Sequence, residues 1–375
     1  MLKLYKLRDY NFRLVLWLLA ISILGILLVG SAEPSLQNKQ MFGVIFGAVI
    51  MVILSLIDYS WILNFYWIIY GVNLFMLLLV RLIGDDAGGA TRWIEIGPLR
   101  FQPTELSKIL IILFFAKFFM KHEDDINRWQ TLLKSVILLA VPLVFVLIQP
   151  DMKNTITISL IFCVLIFIAG LSYKIIGGIV LAAIPLLAVF LVIVVQPDQT
   201  LIEDYQRNRI MSFIDSDNEE YKDLTTQQKN SITAIGSGML TGKGLNNNEV
   251  SSANKGNFVS QIHTDFIFAV AGEELGFVGC CSIIILLLLI NLECILIARK
   301  AKDLSGKIIC CGIATLVSFQ SFINICVATG LMPNTGTPLP FLSYGLTSLV
   351  SLYIGMGIVL NVGLQGKITL RGEHV

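Results

Sequence analysis

Ten apolar stretches punctuate this chain of 375 residues, at about 14–31, 41–57, 61–83, 105–120, 135–148, 155–172, 175–195, 266–297, 307–330 and 346–364. A helix rises about 1.5 Å per residue, so about 20 apolar residues cross the roughly 30 Å hydrocarbon layer of a bilayer. Within that layer each backbone N–H and C=O must be satisfied inside the segment, which leaves helices for runs of this length. The chain therefore reads as an all-α integral membrane protein, a polytopic bundle of about ten transmembrane helices forming a single domain over 1–375. Its 55% hydrophobic and 14% charged residues agree. The fifth stretch, ended by Gln149 and Pro150, is short, and the eighth is long enough to begin as a tilted or surface-lying segment.

An even number of spans puts both termini on one side. If that side is the cytoplasm, Lys3, Lys6, Arg8, Arg13, Lys117, Lys121, Arg128, Lys134, Lys174, Arg299, Lys300, Lys302, Lys307, Lys367 and Arg371 lie inside. Only Lys39, Arg81, Arg92, Arg100, Lys108 and Lys153 fall in the short outside segments. That asymmetry follows the positive-inside rule, from which the long 196–264 loop is largely exempt. This large extracytoplasmic loop carries an acidic run (Asp215, Asp217, Glu219, Glu220, Asp223) and is too polar for a core of its own. It is expected to pack back on the bundle, with short helices around 225–240.

Several function classes are poorly served. The net charge of +1 hides an uneven distribution and says nothing of partners, nucleic acid is no natural partner for such an apolar chain, and the seven cysteines all lie inside apolar runs as small hydrophobes. The basic N-terminus leads into its first span without a small-residue cleavage site, as a retained span does. His122, His263 and His374 have no metal-ligand spacing, and the chain holds no nucleophile elbow, Walker motif or dinucleotide fingerprint.

Four polar clusters fall on the outer side. In GATRWIEIGPLRFQPTELSK, 89–108, Pro103 and Thr104 resemble a helix start and place Glu105 and Lys108 one turn apart at the membrane boundary. That pair is either functional or an internal ion pair that holds helices together. QPDMKN, 149–154, reads as a turn between spans. In DYQRNRIMSFIDSD, 204–217, Arg207 and Arg209 suit a diphosphate, since guanidinium forks bind phosphate oxygens in pairs, and suit a solvated face equally well. The fourth cluster is QIHTDFIFAVAGEELGFVG, 261–279. On a helix, Asp265 and Glu273 would stand roughly 12 Å apart, too far to share one metal ion or proton. Glu273 and Glu274 have the character of buried structural acids in need of a partner, with Glu105, Lys108 and Arg92 within conceivable reach. Asp265, at the boundary, is placed either as a general base for a membrane-anchored substrate or as a helix cap.

Taken together, RWIEIGPLRFQPTELSK, QPD, YQRNRI, SITAIGSGMLTGKGL, HTDFIFAVAGEELGFVG and GLMPNTGTPLPFLSYG resemble, in order and spacing across nearly the whole chain, the SEDS family of RodA, FtsW and SpoVE proteins, most like RodA. The resemblance implies a peptidoglycan glycosyltransferase in the bacterial cytoplasmic membrane. It would polymerise lipid II, release undecaprenyl diphosphate, and work with a class B penicillin-binding protein. It also implies Asp265 as the essential residue, with Glu105, Lys108, Arg92 and Trp93 at family positions. The expected substrate-binding set is Arg92, Trp93, Glu105, Lys108 and Ser343, with Arg207 and Arg209, read from their chemistry, for the diphosphate, and Glu273, Glu274, Pro338 and Pro340 as support. A divalent cation such as Mg2+ or Mn2+ could assist the diphosphate, although no ready-made protein cage for one is visible. Three positions depart from the family pattern: Lys153 and Leu346 where small residues are usual, and Thr337 where an aliphatic residue is commoner. The remaining alternatives are a lipid II flippase and an inactive scaffold that recruits the transpeptidase.

Overall fold

The computed structural model describes residues 9–86, 91–96, 99–196, 202–215, 218–246 and 262–370. Lys3, Lys6, Arg8, Asp217, Gln261, Arg371 and His374, which entered the sequence reading, lie outside the described residues.

Each of the ten apolar stretches falls on helix. The order is α1 (Phe12–Ala32), α2 (Pro34–Leu56), α3 (Tyr59–Asn64), α4 (Tyr66–Ile83), α5 (Pro103–Lys121), α6 (Trp129–Ile148), α7 (Met152–Ile168) and α8 (Tyr173–Val195). Then come α9 (Asp204–Ile214), α10 (Lys222–Ser237), α11 (Ile267–Arg299), α12 (Leu304–Ala328) and α13 (Leu346–Leu370). Among the described residues, seven of them, α1, α2, α4, α6, α11, α12 and α13, are long and apolar enough to cross a membrane, and the chain is a multi-pass membrane protein. The third stretch is broken: Phe65 leaves the helical region between α3 and α4. The fifth is not short, because α6 begins at Trp129 and runs for 20 residues. The helix expected at 225–240 is α10, whereas α9 and a small antiparallel sheet went unforeseen. That sheet joins β1 (Asp85–Asp86), β2 (Thr91–Ile96) and β3 (Leu99–Phe101), with Ile94 opposite Phe101 and Ile96 opposite Leu99.

The centre of the bundle is α5, whose Ile109, Ile112, Phe114, Phe115 and Phe119 are fully buried among α4, α7, α12 and α13. Close approach elsewhere depends on glycine. A methyl group on Gly43 would stand 2.5 Å from Leu346, and one on Gly47 would stand 2.4 Å from the Tyr353 ring, so α2 and α13 pack with almost no space between them. Leu346 thus fills a hollow made by a glycine on the facing helix. The rims of α1, α2, α4 and α6 expose large apolar side chains, including Phe42, Ile68, Phe75 and Val144, as a lipid-facing surface does.

At the end of the bundle away from the long loop, Tyr59 donates through its backbone N–H to Asn361 Oδ1 at 2.9 Å and through its hydroxyl to Asp303 Oδ1 at 3.0 Å. Gln365 donates to Asp58 Oδ1 at 2.6 Å, which closes a buried network that ties α3, α12 and α13 together.

Candidate active site

The polar clusters, distant in sequence, meet at the loop end of the bundle. Arg92 on β2 donates to the carbonyls of Gln149 and Pro150 and to the Tyr205 hydroxyl on α9, and its guanidinium lies over the Tyr205 ring at 5.4 Å. Tyr205 and Gln206 both donate to the Pro150 carbonyl. Arg92 is therefore the clip between the sheet, the 149–151 turn and α9. Trp93, the next residue of the strand, is half-buried and pairs with Asp85 in the ladder.

Asp265 lies two residues before the start of α11, in the turn that leads into it, so it is not on the helix. Phe266 is the N-cap residue and no side chain caps the helix, which removes the capping role. The turn is held from two sides. Asn324 on α12 donates to the carbonyls of Asp265 at 2.7 Å and Thr337 at 2.8 Å. Ser343 donates to Thr264 O at 2.6 Å and accepts from the Leu339 N–H at 2.7 Å, and Tyr344 N–H donates to His263 O at 2.9 Å. Ser343 thereby positions Asp265 from a buried site, with both its donor and an acceptor lone pair in use. Pro338 and Pro340 stiffen the same 334–344 segment, Pro340 being buried and Pro338 half-buried.

The Asp265 carboxylate, half-buried, takes no hydrogen bond from any described residue. Arg209 on α9 acts on it electrostatically. Both flank Gly336, where a methyl group would lie 3.3 Å from Asp265 Oδ2 and 3.3 Å from Arg209 Nη1. Gly336 has φ +68°, which suits glycine alone, so the turn is free of a side chain just where the two charges converge. Burial pulls the Arg209 guanidinium below its ordinary value; the Asp265 carboxylate opposes that effect and Arg92 adds to it. Arg207, two residues before Arg209 on α9, has a buried Nε without a hydrogen-bond partner among the described residues. His263 faces Glu33 and Asp265, and burial holds its imidazole below its ordinary value.

Glu105 and Lys108 form a fully buried ion pair at 2.8 Å within the first turns of α5. The pair lies inside α5, and Glu105 also takes a hydrogen bond from Ser348 on α13, so the pair links the two helices. Beside it, Thr104 accepts from Asn154, while Asp151 accepts from Asn154 at 2.8 Å and from Gln102 at 3.3 Å. Lys153 donates to Gly336 O, and its neighbour across that turn is Thr337, whose hydroxyl lies 3.1 Å from that of Thr335.

Glu273 and Glu274 have other partners than Glu105, Lys108 and Arg92. Lys243 forms an ion pair with Glu273 at 2.9 Å, and Ser31 donates to Glu274. The reason is a break in α11 at Gly276, with φ 65° and ψ −164°. The carbonyls freed there accept from the segment that follows α10: Lys243 N–H reaches Glu273 O at 3.0 Å and Gly244 N–H reaches Glu274 O at 2.9 Å. The freed N–H groups of Phe277 and Val278 donate to Met239 O at 2.8 Å and Leu240 O at 3.1 Å. A methyl group on Gly276 would meet Gly242 N at 2.3 Å. The break is sealed by backbone from the long loop, as buried helix ends require.

Sequence reasoning missed Tyr205, Gln206, Asn324 and Gly336. Asn324 had a usable signal, a lone amide in an apolar run; Gly336 had the turn residues around it. Their proximity to Asp265 had none.

The cell cycle protein family of FtsW, RodA and SpoVE matches residues 10–367. The probable peptidoglycan glycosyltransferase FtsW of Geobacter sulfurreducens is 33% identical over 377 residues, covering 96% of this chain and 97% of that protein. The peptidoglycan glycosyltransferase MrdB of Escherichia coli K12 is 32% identical over 360 residues, 94% of this chain and 93% of its own. Among solved structures, a chain of a peptidoglycan synthase complex that coordinates polymerization and crosslinking superposes with a TM-score of 0.79 at 28% identity, covering 95% and 98% of the two chains. The rod shape determining protein RodA of Thermus thermophilus superposes at 0.70 and 28% identity, covering 94% and 96%.

Proposed function

The chain belongs to the FtsW, RodA and SpoVE family, and from that membership we propose that it is a peptidoglycan glycosyltransferase that polymerises lipid II, with Asp265 as general base. The observation that carries the role of Asp265 is its carboxylate, which takes no hydrogen bond from any described residue and is set against Arg209 across Gly336. The acceptor sugar hydroxyl attacks the anomeric carbon of the donor, the bond from that carbon to the diphosphate oxygen breaks, and the hydroxyl proton passes to Asp265. The leaving group departs as the undecaprenyl diphosphate anion. Such an anion needs cations and no strong acid, and Arg209, beside Asp265 across Gly336, is in place to take it, with Arg207 on the same helix a further candidate. Lys108, already neutralised by Glu105, is the weaker candidate. A single displacement inverts the anomeric carbon, so an α-linked donor yields a β-1,4 linkage.

The donor set does not suit a divalent cation. Among the described residues no group of three or more His, Cys, Asp or Glu converges, and Asp265 is a single carboxylate facing cations. No step here is routed through a metal. The loop end of the bundle is assigned to the outer face of the cytoplasmic membrane, with both termini inside, on the cation asymmetry of the short connections. The partner is a class B penicillin-binding protein, an assignment that the likeness to a synthase complex supports.

The test is polymerisation of purified lipid II by the full-length chain, alone and with its transpeptidase, for wild type and Asp265→Asn. Glycan from the wild type and none from the variant is the expected result. Equal product from both removes Asp265 as base, and no product from folded wild type in complex with its transpeptidase favours the scaffold.

A further inference from the structure

We propose that Lys153 is a positioning residue of the glycosyl-transfer site, acting through the Gly336 carbonyl on the Asp265–Arg209 pair; this rests on the proposed glycosyltransferase reading. Lys153 is the second residue of α7. The N-terminus of a helix carries the positive end of its dipole, so a lysine there is electrostatically misplaced unless acceptors outside the helix hold its charge. Those acceptors are in the site. Lys153 Nζ donates to Gly336 O, and its charge also acts on the Glu105 carboxylate.

Gly336 lies beside all three charged groups. Its carbonyl takes the Lys153 ammonium, and its α-carbon faces both Asp265 Oδ2 and Arg209 Nη1. Without a side chain, and at φ +68°, this residue has a wide choice of conformations that a bulkier residue lacks. Other bonds fix its surroundings: Gly336 N–H donates to Asn334 Oδ1 at 3.1 Å, and Thr337 O accepts from Asn324. The Gly336 carbonyl itself is held by Lys153 alone among the described residues. Released from Lys153, the peptide after Gly336 is free to rotate, and the wall that separates the carboxylate from the guanidinium loses its shape. Misplacement of reacting groups by about 1 Å costs on the order of 100-fold in rate.

The experiment compares wild type, Lys153→Met, Lys153→Arg and Asp265→Asn as full-length folded proteins, reading kcat and KM for lipid II, thermal unfolding, and hydrogen exchange of residues 335–337. Lys153→Met is expected to lower kcat by about ten- to a hundredfold with KM little changed, because Lys153 acts on the base and not on the substrate, and Lys153→Arg is expected to restore most of the rate. Exchange over 335–337 should rise in Lys153→Met. Wild-type kcat in Lys153→Met, alongside an inactive Asp265→Asn, overturns the inference while leaving the glycosyltransferase standing. If folded wild type makes no glycan, that reading fails first; the pin is then judged on exchange alone, where equal rates in wild type and Lys153→Met refute it. Should Lys153→Met not fold, Lys153→Gln replaces it, with a fall of at least about threefold expected and equality with wild type counting against the role.

Discussion

Asp265 and Glu273 stand eight residues apart in one acidic stretch, yet their surroundings are opposite. Around the break at Gly276 the acids and the backbone have partners: Lys243 pairs with Glu273, Ser31 bonds Glu274, and four backbone hydrogen bonds from 239–244 seal the two helix ends. Around Asp265 the backbone is equally well tied, by Asn324, Ser343 and Tyr344, but the charges are not. Among the described residues the carboxylate takes no hydrogen bond, and it stands against Arg209 across Gly336. A structural acid is recognised by satisfied valences; a reactive one by a rigid backbone that carries unsatisfied valences. The second arrangement costs stability and leaves capacity for a substrate.

The contrast is sharpest for Asp265→Asn. The isosteric amide should lower lipid II polymerisation by about 100- to 10,000-fold, the range for a lost general base, with the unfolding temperature unchanged. A concomitant loss of stability would mean that the carboxylate is a structural acid after all. Next in size is Arg209→Met, expected to reduce kcat/KM by about 100-fold through the loss of one group that stabilises the departing anion, with Arg209→Lys recovering part of it. A variant as active as wild type would place the leaving group elsewhere.

On the other side of the comparison, Glu273→Gln should cost about 1–3 kcal/mol of stability, because Lys243 and the sealed break lose a charged partner, while activity per folded molecule persists. Thermal unfolding and specific activity measured on the same preparation separate the two. Activity lost without stability would erase the distinction between the two acids. The smallest effect belongs to His263→Gln. Burial keeps the imidazole below its ordinary value, so at pH 7 it contributes no cation, and less than a threefold change in rate is expected between pH 7 and 8. A larger change would bring His263 into the proton path.

The bundle was legible because hydrocarbon solvent leaves apolar helices as the choice for apolar runs; each predicted stretch coincides with helix. What escaped was local. The break at Phe65 carries no glycine or proline, and Gly276 stands between Gly272 and Gly279, so nothing local singles it out as the break. The strand alternation in TRWIEI was overshadowed by the polar residues around it, and the helical spacing of α9 by its charges.

Residue types alone thus settled the class of fold, the ends of most helices and the identity of Asp265, Arg207 and Arg209 as candidates, because hydropathy and ionisable groups are properties of single residues and short windows. The partners could be assigned only in three dimensions. Whether a glutamate meets Lys243 or Lys108, or whether Lys153 reaches a carbonyl 183 residues away, depends on how the long connection folds back onto the bundle. Ion pairs and hydrogen bonds act over a few ångströms and are indifferent to separation along the chain, so the same side chain reads as a brace or as a base until its neighbours are in place.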